Sequence, residues 1–127
     1  MLDVLLVQPN RIPKAVRIKH DLKTLQRMVG GTIAAIYPFE DAVALIVNDE
    51  GKLLGLPLNR SLRLPSGEIY DIIAGDFLVV GLGKEDFTSL SASLQKKYME
   101  HFYYPEMFMI HENAIISFPM VADEGAK

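Results

Sequence analysis

The residues with the clearest chemical potential are the adjacent Asn59 and Arg60, which follow Leu56-Pro57-Leu58. The proline restricts the backbone, so an amide and a guanidinium lie side by side where an apolar strand ends. Such a pair suits a phosphate or carboxylate ligand. A structural alternative is equally concrete: Arg60 ties the following loop to a carboxylate, and Asn59 caps a turn. We therefore predict a ligand site comprising Asn59, Arg60, Asp71 and Asp76, where either aspartate is also the expected partner of Arg60 in the structural alternative.

Catalytic signatures are missing from the sequence. It has no nucleophile elbow, phosphate-binding loop, dinucleotide glycine fingerprint or zinc-protease helix. There is no cysteine, and the histidines at 20, 101 and 111 are too far apart for a local metal site. We accordingly predict no catalytic residue, no metal and no cofactor. The alternative is a small enzyme acting on a nucleotide or modified base, assembled from the dispersed residues Arg60, Asp71, Asp76 and His101.

A second cluster, Tyr103-Tyr104-Pro105-Glu106-Met107-Phe108-Met109, combines aromatic rings and thioethers. Side chains of this type pack either into the core of the protein or against a partner. A domain of this size has limited interior space for so many large side chains. Homo-oligomerisation through Tyr103, Tyr104, Met107 and Phe108 is therefore a further hypothesis, which would make the protein a structural module.

Composition and charge limit the classes of protein to which the chain can belong. The chain has 127 residues, of which 50% are hydrophobic and 23% charged, which fits one folded domain. A net charge of -3 argues against a broad nucleic-acid surface. The apolar start of the chain carries Asp3 and reaches Gln8-Pro9 too early for a signal sequence or membrane span, so we expect a cytoplasmic protein without a membrane segment.

Hydrophobic periodicity and turn residues predict one α+β domain over residues 1–121, with a mainly antiparallel sheet, two helices and a loose end at 122–127. The first helix begins after Asp21 and ends at Gly30, and the second, longer helix is capped by Ser89 or Ser91 and ends before Pro105. The expected strands are 4–7, 15–18, 32–36, 42–47, one from Leu53, 72–81 with a bend at Gly75-Asp76, 107–110 and 114–118. Of these, 4–7 should pair with 15–18, and 42–47 should form a hairpin with the strand from Leu53. Residues 61–68 are predicted to form a loop.

Three stretches together resemble a known family: Asn48 to Arg60 with its Gly-Leu-Pro-x-Asn-Arg segment, Asp71 to Gly81, and Asp86 to Leu90. They are similar to the small proteins catalogued as domain of unknown function 3846, over roughly residues 5–102. A segment at 105–121 lies beyond the resemblance. Besides Asn59 and Arg60, the resemblance singles out as structural positions Asn48, Gly55, Pro57, Gly75 and Phe77.

The resemblance implies a genomic setting in phages, mobile elements and the bacteria that carry them, and it implies no reaction. Together with the missing catalytic signatures, it leads us to expect a non-enzymatic binding protein. Its partner would be a host protein or a small anionic, nucleotide-like ligand.

Overall fold

A computed structural model describes residues 1–122, and it confirms a single α+β domain with a mainly antiparallel sheet and two helices. The last five residues of the predicted loose end lie outside the described residues. The elements, in chain order, are β1 (Leu2–Val7), β2 (Lys14–Ile18), α1 (Leu22–Val29), β3 (Ile33–Ile36), β4 (Val43–Asn48), β5 (Leu58–Arg63), β6 (Ile69–Ala74), β7 (Phe77–Leu82), β8 (Phe87–Thr88), α2 (Ala92–His101), β9 (Glu106–His111) and β10 (Ala114–Pro119).

The main sheet has the strand order β2-β1-β7-β4-β3, with the short β8 added to the end of β7, and all its pairs are antiparallel. Side chains alternate between its two faces along each strand. One face, with Val4, Leu6, Ile46 and Leu78 among its buried residues, packs against α1. The opposite face packs against α2 and the separate β5–β6 hairpin; its buried residues include Leu5, Val7, Leu45, Leu62, Ile73, Phe77, Val79, Tyr98 and Phe102. The domain therefore has three layers.

The helix ends follow the predicted capping chemistry. The Asp21 carboxylate accepts a hydrogen bond from the Thr24 N–H at 2.8 Å, and Gly30 ends α1 in the left-handed conformation with φ of 77°. Of the two serines considered for α2, Ser91 is the cap, with its Oγ 3.3 Å from the Leu94 nitrogen. The Ser89 hydroxyl instead accepts a hydrogen bond from the Asp3 N–H.

The predicted hairpin that joins 42–47 to a strand at Leu53 is wrong. Strand β4 is hydrogen-bonded to β3 on one side and β7 on the other, so it has no free edge for a third partner. The residues after Asn48 form consecutive turns instead, with Gly55 at a φ of 69°, and the side chain of Leu53 is 87% exposed. The apolar character of this stretch was misleading because its leucines do not enter the core next to β4.

The single strand predicted over 72–81 is also wrong, since the chain changes sheets at Gly75-Asp76. Gly75 has a φ of 85°, and this turn separates β6 from β7. The predicted loop at 61–68 is confirmed over 64–68, which form a turn, whereas 61–63 belong to β5, which pairs with β6 around that turn. The two strands predicted near the C-terminus are confirmed as the β9–β10 hairpin.

Gly75 offers a test of this strand exchange. A Cβ at this position would lie 2.7 Å from Leu56 Cδ1, in addition to the strain of a positive φ. We expect Gly75→Ala to lower the free energy of unfolding, measured by urea denaturation, by the roughly 1–2 kcal/mol assigned to left-handed backbone plus a smaller cost for moving the flexible end of the Leu56 side chain.

Gly67→Ala is the matched control, because Gly67 has a similar φ of 92°, whereas a Cβ added there would meet no atom within 4 Å. An equal loss of stability in the two variants would contradict the importance of the close contact with Leu56.

Candidate functional site

Asn59 and Arg60 are interior residues, each 1% exposed. The Asn59 side chain donates hydrogen bonds to the main-chain carbonyls of Val7, at 3.0 Å, and Gly75, at 2.8 Å. It thereby joins the end of β1 to the turn between β6 and β7. Its Oδ1 accepts a hydrogen bond from Arg60 Nη1 at 2.8 Å, so the two neighbouring side chains form one unit.

The guanidinium of Arg60 donates to three main-chain carbonyls in two further segments, the end of α2 and the turn after β1. Its Nε lies 3.0 Å from the Phe102 carbonyl, its Nη2 lies 2.6 Å from the Arg11 carbonyl, and its Nη1 lies 3.4 Å from the Gln8 carbonyl. Burial lowers the pKa of Arg60 to about 10, and the carboxylate of Glu106 acts in the opposite direction, so the group remains protonated at neutral pH.

The structure thus favours the clamp alternative for Asn59 and Arg60, but with different partners. The prediction that Arg60 pairs with Asp71 or Asp76 is wrong. Apart from the hydrogen bond to Asn59, the hydrogen bonds of Arg60 go to main-chain carbonyls. Carbonyl oxygens satisfy a guanidinium without burying a second charge, which would carry its own desolvation penalty.

Neither predicted aspartate makes a hydrogen bond or ion pair with Asn59 or Arg60. Asp71, on β6, forms an ion pair with Lys52. Asp76 accepts a hydrogen bond from Gln8 Nε2 at 3.1 Å. His101 lies at the end of α2 in a cleft that neither aspartate lines, and Arg60 is in the interior. The four residues proposed for a dispersed enzyme therefore do not form one pocket.

The other family-like positions have roles in the fold. Asn48 Nδ2 donates to the Val29 carbonyl at 3.1 Å, and its Oδ1 accepts from the Glu50 N–H at 2.8 Å. Gly55 and Gly75 have positive φ, and the Phe77 ring packs edge-on against Phe102 at 5.3 Å. Pro57 lies directly before β5, and its carbonyl accepts a hydrogen bond from the Gly75 N–H.

A cleft of about 280 Å³ lies directly beyond this clamp. Strand β5, the end of α2 and the base of the β9–β10 hairpin form its walls. The residues that line it are Pro38, Phe39, Ser61, Leu62, Arg63, Tyr70, His101, Phe102, Tyr104, Glu106, Ser117 and Pro119. We refer to it as the Glu106 cleft.

Glu106 is the polar centre of this cleft. Its Oε1 accepts hydrogen bonds from the hydroxyls of Ser61 and Ser117, both at 2.6 Å, and its Oε2 accepts from the Ser61 N–H at 2.9 Å. These contacts connect β9 and β10 to β5. The sequence reasoning missed this residue, and the only signal for it was a single carboxylate within the aromatic and methionine-rich stretch at 103–109.

Arg63 brings a positive charge to the rim of the cleft, with its side chain about half exposed. Its Nε lies 3.2 Å from the Ser61 Oγ, its Nη1 lies 2.9 Å from the Gly67 carbonyl, and its Nη2 is 3.9 Å from Glu106 Oε1. Two of its five N–H groups make hydrogen bonds within residues 1–122, which leaves three without a hydrogen bond there.

Aromatic rings form the opposite wall. The His101 ring lies edge-on to Phe39, at 5.1 Å, and to Phe102, at 4.7 Å. Burial lowers the pKa of His101, an effect that the carboxylate of Glu106 opposes and the charge of Lys97 reinforces. A lowered pKa favours the neutral imidazole at neutral pH.

This arrangement is suited to binding more than to nucleophilic catalysis. In a serine hydrolase, a histidine lies between the serine and the carboxylate and removes the proton from the hydroxyl. Here Ser61 donates directly to Glu106, and a carboxylate is too weak a base to generate an alkoxide. Among residues 1–122, no three His, Cys, Asp or Glu side chains are grouped to hold a metal ion, and no helix is long and apolar enough to cross a membrane.

The fold and cleft define a small α+β protein with a half-open pocket, and comparison of the sequence identifies its family. Residues 1–103 match the family described as "Domain of unknown function (DUF3846)", and the chain belongs to that family. The match begins and ends close to the region of predicted resemblance and stops before Glu106. No curated protein and no solved structure matches the chain.

The clamp can be tested by Arg60→Met, which keeps much of the apolar stem and removes the donors. We expect a loss of roughly 1–3 kcal/mol in the free energy of unfolding, since buried carbonyls lose their partners. Arg63→Met is the control and should change stability by about 0.5 kcal/mol or less, as is usual for surface positions. Similar urea midpoints for both variants would contradict the clamp.

Proposed function

We propose that the protein is a non-enzymatic binding protein of a phage or mobile element, which acts in the cytoplasm by taking up a small nucleotide-like anion in the Glu106 cleft. One observation carries this proposal: a half-exposed arginine, a carboxylate with hydroxyl neighbours and a set of aromatic rings all line the same cavity. Nucleotides combine a planar ring that stacks with a phosphate that pairs with arginine.

Each part of such a ligand has a counterpart in the cleft. Tyr70 and Tyr104 are both at least half exposed and offer ring faces for stacking. The unused N–H groups of Arg63 suit a phosphate. Glu106 has about four acceptor positions, of which three are occupied by Ser61 and Ser117, so it can accept one hydrogen bond from an amino group on a base.

The size of the cleft limits the ligand. A volume of about 280 Å³ is at the lower end of the range for small-molecule sites. It accommodates a nucleoside or a nucleoside monophosphate more readily than a longer phosphate chain. A cavity of this shape also favours a small ligand over a host protein as the occupant of this site.

A panel of AMP, GMP, CMP and UMP, together with the four nucleosides, tests this proposal by thermal unfolding and calorimetry. At 100 times its dissociation constant, a true ligand should raise the free energy of unfolding by roughly 2.7 kcal/mol. We expect Arg63→Gln to weaken binding of the monophosphate and to leave nucleoside binding almost unchanged. Tyr104→Ala should weaken both.

The control is Lys52→Gln, which removes a cation from a separate cleft lined by Asp49, Glu50 and Asp71. Its binding should equal that of the wild type. If no probe stabilises the protein, or if Lys52→Gln abolishes binding and Arg63→Gln does not, the Glu106 cleft is not the ligand site.

A further inference from the structure

The β9–β10 hairpin presents an apolar outer face to solvent. Its register places Met107 opposite Phe118 and Met109 opposite Ile116, so four apolar side chains form one continuous patch. Met107, Met109 and Phe118 are each about half exposed. We call these four residues the outer patch.

The tip of the hairpin is apolar on its other face as well. Ile110 and Ile115 lie opposite each other one position further along, and Ile110 is 80% exposed. Glu112 and Asn113 form the turn that follows, and both have positive φ, as a two-residue type I′ hairpin turn requires. An isolated two-stranded hairpin is marginally stable in water and gains stability when its apolar side chains are covered.

The base of the hairpin carries a complementary feature. An apolar hollow of about 250 Å³ is lined by Tyr104, Pro119, Met120 and Val121. One chain therefore has both a projecting apolar tip and an apolar hollow. In a twofold symmetric dimer, each copy supplies the same surface, so a surface that contains both shapes can complement itself.

The extent and chemistry of this surface indicate which partner it fits. The exposed parts of the side chains on both faces of the hairpin, together with Tyr103 and Tyr104, amount to an area on the order of 800 Å², taking roughly 150–250 Å² for each fully exposed large side chain, so a dimer of standard size must cover the outer patch and the tip together. A stable dimer buries about 800 Å² on each partner. Between Met107 and Phe118, the only ionisable residues are His111 and Glu112 at the turn. Depletion of charge is typical of permanent homodimer interfaces, whereas transient partners bind through surfaces of ordinary polarity.

We propose that the hairpin is a homodimer interface, in which the outer patch and the tip of one copy pack against the hairpin of a second copy. This interface does not require a ligand in the cleft, but Tyr104 and Pro119 line both the cleft and the hollow. The interface also adjoins the cleft, because the same hairpin supplies Glu106 and Ser117 to the cleft wall.

Native mass measurement of the full chain at about 10 µM tests the proposal. The expected mass is twice the 14.2 kDa of one chain. Ile110→Glu should raise the dimer dissociation constant by roughly tenfold or more, because it places a charge in an apolar contact. Leu53→Glu changes a leucine of similar exposure outside the hairpin and should leave the dimer intact.

A wild-type monomer at this concentration would overturn the proposal, whether or not another protein binds the hairpin. A dimer that is equally stable with Ile110→Glu would also overturn it, because the interface would then lie elsewhere. Circular dichroism of each variant verifies that it is folded, and Arg63→Gln should keep the dimer mass even if it loses nucleotide binding.

The chain has no cysteine, so a single cysteine can be introduced by substitution without first removing native thiols. A disulfide between two copies then reports that this position is close to itself in the dimer. Under mild oxidation, Met109→Cys or Ile110→Cys should form a covalent dimer faster than Leu53→Cys.

Discussion

The architecture depends on the hydrogen bonds of the buried pair Asn59 and Arg60. Together their side chains bind main-chain carbonyls at the end of β1, in the loop that follows it, in the turn before β7 and at the end of α2. Hydrophobic packing is not directional, so it brings the layers together without fixing their relative positions. The amide and guanidinium supply that direction, and they position β5 so that Ser61 faces the cleft. A charge is well suited to this task because a buried guanidinium is costly unless several of its donors are satisfied.

Much of the fold was predictable because local chemistry and tertiary structure agree in most segments. Asp21, Gly30 and Ser91 have the conformations that capping predicts, and the apolar run in β1 with the alternation in β2 predicts the observed hairpin. The errors came from nonlocal pairing. Nothing in the sequence near Asn48 shows that β4 already has two neighbours, and the apolar residues on both sides of Gly75 conceal a change of sheet.

The site was less predictable than the fold, for a related reason. The sequence drew attention to Asn59 and Arg60 because Pro57 restricts the backbone before them and leaves an amide and a guanidinium side by side, but it could not distinguish a buried clamp from an exposed ligand site. Glu106 had no such signal, because its partners Ser61 and Ser117 are 45 and 11 residues away along the chain. The contact that makes Glu106 notable exists only after β9 and β10 dock against β5.

Glu106 lies outside the region shared with the family, which ends at residue 103, yet it satisfies a main-chain N–H and a hydroxyl within that region. The shared region thus contributes most of the cavity lining, and the segment after it adds Tyr104, Glu106, Ser117 and Pro119. A related chain that continues differently after α2 would keep the same framework and present another group to Ser61. In this architecture, the chemistry of the cleft can change by exchange of the segment after α2, without any change to the core that holds the domain together.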